Sequence, residues 1–244
     1  MDAIQKNLLE QVAELHDVPE GAYNIRANGK AAARNTTANI DIVSKEDKDG
    51  IDIIIKPGTK NESVHIPVVL SESGLNETVY NDFIIGDDCD VTIVAGCGIH
   101  NCGVQNSEHS GIHSFHVGKR ARVRYVERHY GEGDGMGENI MNPTTVVEMD
   151  EDSYLEMETT QIKGVDSTVR TTKATLGPRA TEREITLVWQ SSPFRSTVKS
   201  DLASCLPWVI TFSLMMRVAR GPRVAFVVRT VESTPLIWVV SISR

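Results

Sequence analysis

The chain has 244 residues, 24% of them charged, with a net charge of −8 and four cysteines. That length can bury a substantial core in one large or two smaller domains. The acidic balance, with no sustained basic stripe before residue 180, argues against non-specific nucleic-acid binding, and four cysteines are too few for a disulfide framework.

Residues 1–22 read as an N-terminal amphipathic helix. Ile4, Leu8, Leu9, Val12 and Leu15 fall on one stripe, while Glu10 and Glu14 interrupt the apolar stretch a signal peptide would need. Asn-x-Ser/Thr triplets begin at Asn35, Asn61 and Asn76, and without a secretory signal they read as chance matches. The expected setting is therefore reducing and cytoplasmic.

Residues 23–180 read as β-rich. Ile51–Ile55 stops at Pro57-Gly58, and Val64–Leu70 stops at Ser71, each a short strand bounded by turn residues. Phe83, Ile85, Gly86, Cys89, Val91 and Ile93 then recur 32 residues on as Phe115, Val117, Gly118, Ala121, Val123 and Tyr125. The same step leads to Val147, Met149, Asp150, Ser153, Leu155 and Met157. A fourth copy, Ala174, Leu176, Gly177 and Ala180, fails where Glu182 and Glu184 replace the expected apolar pair. One such unit cannot bury its inward face, so the copies must stack. The expected fold is all-β, a β-helix or β-solenoid, with Cys89, Ala121, Ser153 and Ala180 as the small residues of its corners. An aromatic content of only 5% disfavours the runner-up, a two-sheet sandwich.

Several charged features read as solvated surface. Lys119, Arg120, Arg122 and Arg124 alternate with Ala121, Val123 and Tyr125, as on the wet face of a strand, and Glu156 and Glu158 share an outward face. Gly131–Gly137 reads as a flexible loop without the residue order of a calcium-binding hand.

The chemistry-bearing candidates are Cys97, His100 and Cys102, because thiolates and imidazoles close together hold iron, zinc or iron–sulfur species. On a strand, residues 97 and 102 point to opposite faces, so joint ligation needs a turn, for which Gly98 is available. A fourth ligand would come from His109, His113, another chain or a labile sulfide. The competing reading is two small thiols packed in a β-core corner. His113 and His116 lack the His-x-His spacing that puts two imidazoles on one strand face, and Pro57–Lys60 is not a nucleotide loop. Any use of ATP would belong to a partner.

Composition breaks near residue 180. Residues 181–244 carry eight basic and four acidic residues and all three tryptophans, but no histidine, tyrosine or asparagine. The apolar run Leu206–Met216 is shorter than the ~20 residues a membrane-spanning helix needs. The expectation is an atypical tail: a change of reading frame that replaced the fold's own C-terminus ahead of a separate small domain, with a membrane-associating segment last.

Five separated blocks occur in order: Ala22–Gly29, Ile55–Pro67, Gly96–Asn101, Tyr130–Gly133 and Met157–Gly164. Together they resemble the SufB/SufD family, chiefly its short members, over residues 1–180. The resemblance implies a right-handed β-helix core and a non-enzymatic, cytoplasmic scaffold for iron–sulfur cluster assembly. It also implies a transient iron–sulfur cluster, a homodimer or a SufB/SufD-type heterodimer, and a SufC-like ABC ATPase docked on a C-terminal helical domain, with no nucleic-acid or membrane partner. The family's later turns and ATPase-docking segment have no counterpart in residues 181–244, so this chain is expected to lack them. Cys97, His100 and Cys102 are assigned from ligand chemistry alone. The alternative function is a metal-dependent enzyme with a mononuclear Cys/His site on a β-rich fold.

Overall fold

Alternation of inward and outward side chains sets the architecture, interrupted at the ends of the strands Lys60–Leu70 and Asp90–His100, where a helix covers the outer face. The computed structural model describes residues 1–15, 19–190, 195–204, 210–217 and 223–232. Helix α1 (Ala3–Ala13) precedes the hairpin of β1 (Ala22–Ala27) and β2 (Lys30–Asn35), and β3 (Ile40–Ser44) pairs antiparallel with β4 (Gly50–Ile55). From β4 onward each coil gives one strand to each of two sheets. The pairs are β4 with β5 (Lys60–Leu70), β6 (Asn76–Ile85) with β7 (Asp90–His100), and β8 (Ser107–Val117) with β9 (Arg122–Glu132). They continue as β10 (Asn139–Met141) and β11 (Thr144–Met149) with β12 (Tyr154–Lys163), then β13 (Ser167–Leu176) with β14 (Thr181–Gln190), then β15 (Arg195–Ser204). Successive coils pair parallel, as a β-solenoid requires and a hairpin-built sandwich does not.

The repeat read from the sequence is the coil itself. Phe83 lies opposite Phe115, and Phe115 opposite Val147. The next step, Val147 to Ala174, is five residues shorter. Three of the five are lost where the loops 101–106 and 133–138 give way to 164–166, and one from each strand. Inside the coils Phe83 and Phe115 stack at 4.4 Å between ring centroids, with Tyr125 edge-on to Phe115 at 5.2 Å.

Each coil turns through a corner with one left-handed residue: Gly58, Asp88, Arg120, Asp152 and Arg179, with φ between 57° and 77°. The residue that follows is small and buried, namely Thr59, Cys89, Ala121, Ser153 and Ala180. Four of the five left-handed residues have side chains, at roughly 1–2 kcal/mol each. Stacking of opposite charge offsets part of this: Arg120 reaches Asp88 with two hydrogen bonds of 2.7 and 2.8 Å, and Arg179 holds Asp152 with two of 2.6 Å.

Helix α1 is capped by Asp2, whose Oδ1 accepts from Gln5 N–H at 2.8 Å. It buries Leu8, Leu9, Val12 and Ala13 against Ile25, Val69 and Tyr130, whereas Ile4 stays exposed. Glycine makes this seat: a Cβ on Gly96 would fall 2.8 Å from Val12 O, and one on Gly98 would fall 3.0 Å from Leu8 Cβ. The strand runs straight through Gly98 to His100, so no turn forms at Gly98.

Pairing does not stop at the composition break. Strand β14 continues parallel to β12 from Thr181 opposite Tyr154, and β15 continues parallel to β13. Glu182 and Glu184 take inward positions opposite Leu155 and Met157, both buried. Parallel stacking in this sheet ends where β17 (Arg223–Glu232) pairs antiparallel with β14 and with β16 (Ile210–Arg217). The apolar run from Leu206 begins outside the described residues, as do Cys205, Trp208 and Trp238. Among the described residues, no helix is long and apolar enough to cross a membrane.

Candidate functional site

The end of each coil opposite the corners carries the chemistry. Strand β7 ends at His100, and β9, the strand beside it, ends at Glu132. The loops that follow stack as well: Gly135 N–H donates to Asn101 O at 3.1 Å, and Gly137 N–H to Gly103 O at 3.1 Å. The glycines of 131–137 serve close packing. A Cβ on Gly133, whose φ is +113°, would fall 2.1 Å from Asn101 O. Asn101 is buried and pins the loop, donating from Nδ2 to Gln105 O at 2.9 Å and accepting at Oδ1 from Gly103 N–H at 3.0 Å.

Of the three sequence-derived candidates the structure brings two together. Cys102 Sγ lies 3.1 Å from His100 Nε2, and His100 Nδ1 lies 3.3 Å from Glu132 Oε1. Cys102 is exposed. Cys97 stands apart from them, inward and 2% exposed, among Val68, Ile99 and Met141. Burial pushes its thiol well above the ordinary cysteine range, as the nearby Glu77 and Glu127 do further.

Four of the other histidines divide by strand parity. His116 faces outward, 3.1 Å from Glu148. His109, His113 and His129 face inward, and with Asn81, Cys97 and Glu127 they line a cavity of about 20 Å³, enough for one water molecule. Arg170 donates to Glu127 Oε2 at 2.7 Å, and Tyr125 Oη donates to Oε1 at 3.1 Å. Burial alone would raise the Glu127 carboxyl, but His129 and Arg170 outweigh it and hold it well below the usual carboxylate range. His113 is driven down to about 4, first by burial. A second buried group joins Arg26 to Glu77, whose Oε2 is 3.6 Å from His109 Nδ1, so both atoms lack a hydrogen bond while still attracting.

This interior network was not read from the sequence, although parity marks it: Tyr125, Glu127 and His129 follow Val123 in steps of two. Among the described residues, no group of three or more His, Cys, Asp or Glu side chains is placed to hold a metal ion. The site's chemistry is that of an exposed thiol beside an oriented imidazole, on a β-solenoid whose lumen is charged.

No family model, curated protein or solved structure matches the chain. What the fold and site define is a class, a parallel β-solenoid with a helix laid across one sheet and a thiol–imidazole pair at a coil end.

Proposed function

We propose that this protein is a non-enzymatic scaffold subunit for iron–sulfur cluster assembly, of the SufB/SufD kind. In this reading it is cytoplasmic and works with a SufC-like ATPase that supplies the conformational work. The cluster is its cargo, carried where this chain meets a second copy or a related subunit, and is not a resident cofactor.

One observation carries the reading: where the five resembling blocks fall. Ala22–Gly29 forms β1 and its turn, and Ile55–Pro67 rounds a corner into β5. Gly96–Asn101, Tyr130–Gly133 and Met157–Gly164 lie at the ends of β7, β9 and β12. Strands β1, β5, β7, β9 and β12 are consecutive neighbours in one sheet. Blocks scattered along the chain thus fall mainly on adjacent strands of one sheet, and α1 packs on its middle strands.

The test has two parts. Anaerobic incubation with ferrous iron and sulfide is expected to produce sulfide-to-iron charge-transfer absorption when a related subunit is present. The chain should also co-purify with a SufC-like ATPase once a family C-terminal segment is attached. Stoichiometric metal in the isolated protein that persists without sulfide would overturn the scaffold in favour of a mononuclear metal enzyme. Failure of the extended chain to bind the ATPase would count equally against it.

A further inference from the structure

Cys102 is the one exposed cysteine among the described residues; Cys89 and Cys97 are buried. Its sulfur meets His100 Nε2 at 3.1 Å, and the other imidazole nitrogen meets Glu132 Oε1 at 3.3 Å. Glu132 is held in turn, because Tyr130 Oη donates to its Oε2 at 2.9 Å and Asn7 Nδ2 of α1 reaches Oε1 at 3.4 Å. The backbone at the thiol is fixed too: Cys102 N–H donates to Ser73 Oγ at 2.9 Å. Three elements therefore converge, the ends of β7 and β9 and the N-terminal half of α1.

Thiol, imidazole and carboxylate in this order are the arrangement in which a base takes the nucleophile's proton and a third group holds the base. We propose that Cys102 is an activated nucleophile for thiol–disulfide exchange with small soluble disulfides, with His100 as proton acceptor and Glu132 as the residue that positions the imidazole. The inference is independent of the scaffold reading, since it concerns one thiol and needs neither iron nor a partner subunit.

The Cys102 proton passes to His100 Nε2, and the thiolate attacks one sulfur of a disulfide R–S–S–R. The new Sγ–S bond forms as the old S–S bond breaks. The departing R–S⁻ takes the proton from the imidazolium, leaving Cys102–S–S–R and R–SH. The disulfide is the oxidant, and one small thiol is released for each protein thiol consumed. An exposed sulfur leaves such a molecule free to approach in line, which the buried Cys89 and Cys97 do not.

The probe is glutathione disulfide, added to the full-length protein, with the adduct on each cysteine followed in time by peptide mass spectrometry. Cys102 is expected to react about tenfold or more faster than the same thiol in an unstructured peptide of residues 98–107, and Cys102→Ser to remove that adduct. His100→Ala should slow the reaction about tenfold, and added imidazole should restore part of it, a response that a merely structural histidine would not show. Glu132→Gln should slow the reaction severalfold, yet add nothing to His100→Ala, because the carboxylate acts through the imidazole. A rate equal to that of the peptide, or one unchanged in His100→Ala, overturns the proposal. If His100→Ala does not fold by circular dichroism, the comparison with the peptide and Glu132→Gln decide, and no difference in either overturns it as well.

Discussion

Glu127 shows how a single buried group ties the coils together. Its carboxylate takes hydrogen bonds from Tyr125 on its own strand, from Thr159 one coil on and from Arg170 across the lumen. Removing one partner of a buried pair leaves the other charge uncompensated, at about 3–5 kcal/mol. Glu127→Gln should therefore lower the unfolding free energy by about that much in urea titrations, and Glu127→Leu combined with Arg170→Met should recover most of the loss. A cost below about 1 kcal/mol would mean that Arg170 finds another partner.

The pH dependence separates two neighbours. His113 titrates at about 4 when folded against an ordinary 6.5. Between those values the unfolded chain binds a proton that the folded chain refuses, so stability falls as pH drops through that window, by about 3 kcal/mol. The depressed Glu127 carboxyl acts lower: its contribution is complete above the ordinary 4.5 and is lost as pH falls below it. His113→Gln should reduce the slope of stability between pH 6.5 and 4, the burial-lowered His65 keeping part of it, while leaving the acid limb below 4.5. An unchanged upper slope would assign that window to another group.

At the scale of elements, the repeat was legible because the coil length is constant where loops match. The same step of 32 residues, applied to the candidate site, also finds its missed members. It carries His100 to Glu132, Cys97 to His129 and Asn81 to His113, all of them paired across coils. Glu182 and Glu184 break the apolar repeat for a physical reason: the repeat predicts an apolar lumen, whereas this lumen holds Glu127, Arg170 and three histidines. What no strand pattern could announce is the seat of α1, which exists only once β7 and β9 lie side by side. There Gly96 meets Arg128 O and Val12 O, and an added methyl would fall 2.7 and 2.8 Å from them. Gly96→Ala should lift α1 and cost about 1–3 kcal/mol. Amide exchange should then quicken in residues 3–13 and change little in the corners at 86–89 and 118–121. Equal loss of protection in both would mean that the helix and the coils unfold as one unit.

Over the whole molecule, a stack of parallel coils must end somewhere, and each end exposes unpaired backbone that could template further strands. Each end of the nine-stranded sheet finishes in an antiparallel pair: β1 lies parallel on β5 and carries β2 antiparallel outside it, and β17 lies antiparallel on β14 and carries β16. The outermost strand at the first end, β2, reads Lys30-Ala-Ala-Ala-Arg34-Asn35. Its small central residues offer little to a foreign strand, and the two flanking cations repel a second copy of the same edge. Arg34 is also tied inward, donating to Asn24 Oδ1 and Ser44 Oγ at 2.9 Å each. Lys30→Val with Arg34→Val would turn this edge into a flat, β-prone, uncharged segment. The expected outcome is association that grows with protein concentration, seen by light scattering after size exclusion, while far-ultraviolet circular dichroism keeps its β signature. Lys30→Val alone should do less, because Arg34 still guards the edge. If the double variant scatters as the parent does at every concentration, the edge is protected by twist and by the β2–β3 connection, and its charges are incidental.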